Sequence, residues 1–118
     1  MSERLVYQDR VTTYDNPEKR GWFMGPFMEK EVLKTDDLRI NFCIHKKGWS
    51  RESVPQSPNE KTVVILGSGH LVYWFDGDNQ FYHLEKPGDY LVWEPSIHHI
   101  SAAVEDSTLV NVRWTIKE

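Results

Sequence analysis

The feature that most constrains this chain is a strict alternation in which Leu38, Ile40, Phe42 and Ile44 interleave with Arg39, Asn41, Cys43 and His45. Successive side chains of an extended backbone point to opposite faces, so a period of two specifies a strand with one apolar and one polar face. This run ends at Gly48. Further on, the β-branched stretch Thr62 to Leu66, the tight turn Gly67-Ser68-Gly69 and the run Leu71 to Phe75 are read as a hairpin-like pair. Asp76-Gly77-Asp78-Asn79 supplies residues that tolerate positive φ, and Gln80 to Leu84 follows as the returning strand. Lys86-Pro87-Gly88-Asp89 turns the chain into Tyr90 to Trp93, and Ile100 to Val104 and Thr108 to Ile116 supply the last strands, joined at Glu105-Asp106-Ser107. Residues 50 to 61 are polar and carry Pro55 and Pro58, which donate no backbone hydrogen bond, so a loop is expected there.

Short strands with turns every eight to twelve residues, and no sustained helical period, predict an all-β antiparallel sandwich or small barrel. Residues 1–37 are broken by Asn16-Pro17, Gly21 and Gly25-Pro26 and are expected to form short extended pieces and loops. Their cluster Trp22, Phe23, Met24, Phe27 and Met28 is too apolar to lie free in water, and is expected to pack on the barrel or on a second subunit. At 118 residues the chain builds one core, so residues 1–118 are read as a single domain whose barrel spans about 38–116.

A net charge of -4 argues against nucleic-acid and membrane partners, both of which call for clustered Lys and Arg. The single cysteine, Cys43, has no internal disulfide partner, and Met1-Ser2-Glu3-Arg4 opens no apolar leader, so a cytoplasmic protein is expected. With no adjacent base in sequence, Cys43 is read as a small buried residue rather than a nucleophile. The five tryptophans are expected mainly in the core or at a subunit contact.

The second half resembles the cupin superfamily, whose second motif runs glycine, five residues, proline, one residue, glycine, two residues, histidine. Gly88 opens that spacing, Glu94 stands in the proline place, Ser96 in the second glycine place, and His99 lands on the histidine. In the first cupin motif, counted from Gly48, Val54 and Gln56 occupy the two histidine places, Glu60 the glutamate and Gly67 the closing glycine. If Gly69 closes the motif instead, Thr62 takes the glutamate place, and neither count finds a histidine between 46 and 69. The chain is also similar to a group of short single-domain bacterial cupin proteins through Gly21-Trp22, His45-Lys46-Lys47-Gly48, Lys61-Thr62, Gly88-Asp89-Tyr90, His99, Asp106-Ser107 and Val112-Arg113-Trp114. The resemblance implies a small antiparallel double-stranded β-helix, or jelly-roll barrel, and lends a fold rather than a reaction.

A cupin metal site converges three imidazoles and a carboxylate on one transition metal. Only His99 of that set stands in place, so no cofactor is favoured. If a divalent transition metal binds, His99, His45 and Glu60 are the candidate ligands. His98 adjoins His99 and points to the opposite face of an extended chain. The polar face Arg39, Asn41, Cys43, His45, and the matching pair Asn111 and Arg113, have two readings. They form the solvated outside of a sandwich, or they line a cup in a cupin barrel. In the second reading Arg39 and Arg113 donate to a carboxylate or phosphate, and Trp93 or Tyr90 supplies an apolar wall. The leading expectation is a small polar or anionic ligand held without the usual metal. The alternative is a small-molecule enzyme of isomerase or oxygenase type, either metal-dependent or with His99 as the catalytic base. A homodimer is the expected assembly.

Overall fold

The computed structural model describes residues 6–53, 59–95 and 97–116. Val54, Pro55, Gln56, Pro58 and Ser96, together with Met1-Ser2-Glu3-Arg4, lie outside the described residues.

Nine strands run in chain order: β1 Trp22–Met24, β2 Leu38–His45, β3 Ser50–Ser53, β4 Glu60–Ser68, β5 Leu71–Phe75, β6 Tyr82–Leu84, β7 Tyr90–Trp93, β8 His99–Ala103 and β9 Ser107–Thr115. They form two antiparallel sheets, with strand order β1-β2-β9-β4-β7 in one and β3-β8-β5-β6 in the other. The β5–β6 hairpin around Asp76 to Asn79 and the β6–β7 turn match the sequence reading. Asp89 closes the latter by accepting from the backbone N–H groups of Glu85 and Lys86, each at 3.0 Å. The all-β jelly-roll barrel is therefore the fold, and the N-terminal segment adds two 3-10 turns, Val11–Tyr14 and Glu31–Leu33, beside edge strand β1.

Two expectations are corrected. The pair 62–66 and 71–75 is not a hairpin. β4 pairs with β7 and β9, β5 pairs with β6 and β8, and the turn between them carries the chain from one sheet to the other. Gly69 makes this crossing at φ +92, where a Cβ would collide with the Asp106 carbonyl and the Ser107 hydroxyl. Ser107, almost wholly buried, fastens the corner by accepting from the His70 N–H at 3.0 Å. The second correction concerns residues 50 to 61: Ser50–Ser53 is a strand paired with β8 along an edge, and β4 already begins at Glu60. A short polar edge strand carries no apolar alternation, so its pairing is decided by a distant partner.

Register explains how the five-stranded sheet sorts its residues. On its outer face Ile40, Val112, Val63 and Val92 form one cross-strand row, and Phe42, Val110, Ile65 and Tyr90 form the next. On its inner face the corresponding rows are Arg39, Arg113, Thr62 and Trp93, then Asn41, Asn111, Val64 and Leu91. The apolar residues of β2 thus face outward and its polar residues inward, which selects the cup over the solvated-face reading. The dry core lies on the β4, β5 and β6 side of the barrel interior, where Val64, Leu66, Leu71 and Leu84 pack together with Leu109 of β9. Met28 is buried, whereas Phe27 stays about half exposed and meets the Trp22 ring edge-on at 5.8 Å, so the N-terminal aromatics pack on the barrel only in part.

Candidate ligand-binding site

Beyond the dry core the interior opens into a polar cup of about 270 Å³. Its walls come from period two in three strands: β2 contributes Asn41, Cys43 and His45, β9 contributes Asn111 and Arg113, and β8 contributes His99 and Ser101. Asn41 and Asn111 sit directly opposite each other, and the Asn111 side-chain amide donates to Asn41 Oδ1 at 3.0 Å. This bond fixes the floor of the cup and explains why a buried asparagine is tolerated there.

His99 projects into an aromatic surround, with ring centroids 4.8 Å from Trp93, 5.7 Å from Phe75 and 5.9 Å from Tyr73. Burial, and behind it the positive charge of Arg113, outweigh a backbone contact at Ile97 and push its pKa down to about 4. The imidazole is therefore neutral at pH 7, and its buried Nδ1 has no hydrogen-bond partner. Arg113 stands in a similar state. Its Nε is buried and unpartnered, burial first and then the neighbouring Arg39 push its pKa down, and its guanidinium lies 5.4 Å from the Trp22 ring. Burial likewise raises the Cys43 thiol and lowers His45, which stacks on Trp49 at 3.6 Å with the planes 3° apart.

Of the residues proposed from sequence, Asn41, His45, Trp93, His99, Asn111 and Arg113 line the cup together. Two are corrected. Tyr90 is 67% exposed on the outer face of β7, one step out of phase with Trp93 in the strand period. Arg39 lies outside the cup lining and is committed to Glu60, donating from Nε at 3.1 Å and from Nη2 at 2.6 Å, with Trp22 4.9 Å from its guanidinium carbon. The same pairing bears on the metal reading. Glu60 is held in a two-pronged ion pair rather than aimed at His99, and among the described residues no three ligating side chains gather inside the cup. The residues present do not fit the cupin metal set. His98 faces away from His99, as expected, with its Nε2 2.9 Å from Glu52.

Arg20, Arg51, Trp49 and Asp15 also line the cup, and the sequence reading did not single them out. Arg51 arrives there because β3 pairs with β8 and sets it opposite Ser101. Nothing local to 50–61 signals this. A trace of Arg20 was available, since Gly21-Trp22 carried part of the resemblance.

No family model matches the chain, and no curated protein matches it. Solved structures do. A cupin superfamily protein from Desulfitobacterium hafniense superposes with a TM-score of 0.59 at 20% identity, covering 70% of this chain and 71% of that one. The Cupin_2 domain of an XRE family transcriptional regulator from Enterobacter cloacae gives a TM-score of 0.61 at 18% identity, covering 77% and 92% respectively. An HTH_3 family transcriptional regulator from Vibrio cholerae gives 0.60 at 20% identity over 69% of this chain, which spans only 44% of that longer protein. Identities this low speak to architecture alone, and the architecture is unambiguous: the chain folds as a cupin barrel.

Proposed function

We propose that the barrel is a binding module whose cup holds a small anionic molecule, a carboxylate or phosphate, without the usual cupin metal. The observation that carries this reading is the half-buried Arg113, whose buried Nε has no partner, in a cavity that Arg20 and Arg51 also line and to which Asp15 brings the one carboxylate among the described residues. A buried guanidinium left short of acceptors is costly, and an anion supplies what is missing in the two-pronged geometry that Arg favours. His99 Nδ1 and the Asn41–Asn111 pair offer further polar contacts, and Trp93 offers an apolar wall. The enzyme alternative with His99 as general base fits less well, because a base is most effective with its pKa near the working pH and that of His99 lies at about 4.

The test is calorimetric titration of the purified protein with inorganic phosphate and a panel of small mono- and dicarboxylates. Saturable binding of at least one anion is expected, with at least about a tenfold loss in Arg113→Ala, the scale of one charged hydrogen bond. Binding indifferent to both Arg113→Ala and Arg51→Ala, or no anion bound at all, defeats the reading.

The outer rows of the five-stranded sheet support a homodimer as the assembly. Ile44, Ile65 and Val92 are 39–47% exposed there beside Tyr90, a continuous β-branched and aromatic surface suited to pack against its own copy. Sedimentation should give a dimer at micromolar concentration that Val92→Lys dissociates. A monomer in the unaltered protein rules it out.

A further inference from the structure

A second polar cluster lies on the opposite side of the wall from the cup, on the outer face of the four-stranded sheet. Leu84 of β6 is buried inward, so period two turns its neighbours His83 and Glu85 outward. Leu71 of β5 is likewise buried and pairs with Leu84, which sets His70, one step earlier, on the same outer face as His83 and Glu85. The three side chains converge. His70 Nε2 lies 2.9 Å from His83 Nδ1 and 3.9 Å from Glu85 Oε1, and one ligating atom from each falls within 4.8 Å of the others.

We propose that His70, His83 and Glu85 form a binding site for a divalent transition metal, with zinc as the best match, separate from the cup. Two imidazoles and a carboxylate suit zinc, nickel or copper and not magnesium, which prefers oxygen ligands and retains its water. Nitrogens bound to a tetrahedral zinc at about 2.0–2.1 Å sit about 3.3 Å apart, so the pair at 2.9 Å needs to open by only a few tenths of an ångström. The backbone beneath the ligands is already fixed. His70 donates from its N–H to Ser107 and accepts at its carbonyl from the Val104 N–H at 2.9 Å, and the Glu85 N–H is held by Asp89 at 3.0 Å. His83 sits in register opposite Val72. The fourth position faces solvent and is left for water or a partner's ligand. Bound metal joins the turn that crosses between the sheets to the end of edge strand β6.

Zinc titration of tag-free, chelator-stripped protein tests this, read by calorimetry and by the thermal midpoint. One equivalent of zinc is expected to bind and raise the midpoint. Binding is expected to vanish in His83→Ala, weaken at least about tenfold in Glu85→Gln, and persist in His99→Gln. His83 is exposed, so its replacement should leave the metal-free midpoint unchanged and the comparison interpretable. No saturable zinc binding, binding that survives His83→Ala, or binding that disappears with His99→Gln overturns the proposal. The last outcome would place the metal in the cup, while anion binding through Arg113 is read from its own variants and stands or falls independently.

Discussion

The interior of the barrel has two sides that solve opposite problems, a core of Val64, Leu66, Leu71 and Leu84 on β4, β5 and β6, and a cup lined by Asn41, Cys43, His45 and Arg51 on β2 and β3. Along β9 the inward positions run from Ser107 and Leu109 to Asn111 and Arg113, and Leu109 touches both the core and the cup. The core side removes apolar surface from water, which is the ordinary source of stability. The cup side keeps a buried guanidinium nitrogen and a buried imidazole nitrogen without partners. A fold retains such groups at a cost.

The comparison is broken most directly by substitutions four residues apart on one strand. Leu109 is 1% exposed, and Leu109→Ala should destabilise the protein by about 2–5 kcal/mol in urea unfolding, through lost burial and the cavity left behind. Arg113→Met, an apolar replacement of similar length, should change stability by less than about 1 kcal/mol or increase it, because it removes an incompletely paired buried charge. If Arg113→Met costs as much as Leu109→Ala, the cup side is structural and the contrast fails. A smaller effect sharpens the comparison through pH. In the unfolded chain a histidine takes up its proton near pH ~6.5, while folded His99 resists protonation down to about 4. The stability this difference supports is full above pH ~6.5 and is lost as the pH falls toward 4, on the order of 1 kcal/mol once solvent screening is allowed for. His45, also pushed down by burial, adds to the same slope. His99→Gln should flatten the fall between those limits in pH-dependent unfolding. An unchanged slope would mean that His99 is protonated as readily in the native state as in the unfolded one.

Legibility differed from element to element. β2, β5 and β9 were readable because each alternates or is rich in β-branched and aromatic residues over enough positions to reveal a strand, and β7 was read as a strand without its phase. β3 was not readable, since Ser50–Ser53 is polar throughout and becomes a strand only because β8 offers its edge. The β4–β5 turn was seen as a turn but mistaken for a hairpin. Gly67-Ser68-Gly69 reverses the chain whether it joins neighbours in one sheet or crosses to another, and the choice rests with the long-range pairing of β4 with β9. In the site, period grouped the polar residues of β2 and of β9 each on one face, and the cupin resemblance supplied the reading of that face as a cup. Tyr90 was misplaced because β7 is too short for its phase to be read without a partner. Arg39 was misassigned because Glu60, its ion-pair partner at 2.6 Å, lies far from it in sequence.

The sequence by itself determined the fold class, the strand phases of β2 and β9, and the presence of a lone histidine where a cupin barrel places a metal ligand. These are local properties, set by side-chain period and turn chemistry within a few residues. Only the tertiary structure decided which face of those strands is inside. An alternating strand is symmetric to inversion, and the choice is made by what packs against each face. Here Leu66, Leu71 and Leu84 pack the β4, β5 and β6 side of the interior and leave Asn41, Cys43 and His45 of β2 to line the cup. The convergence of His70, His83 and Glu85 was decided at the same level, because it depends on the register of β5 against β6.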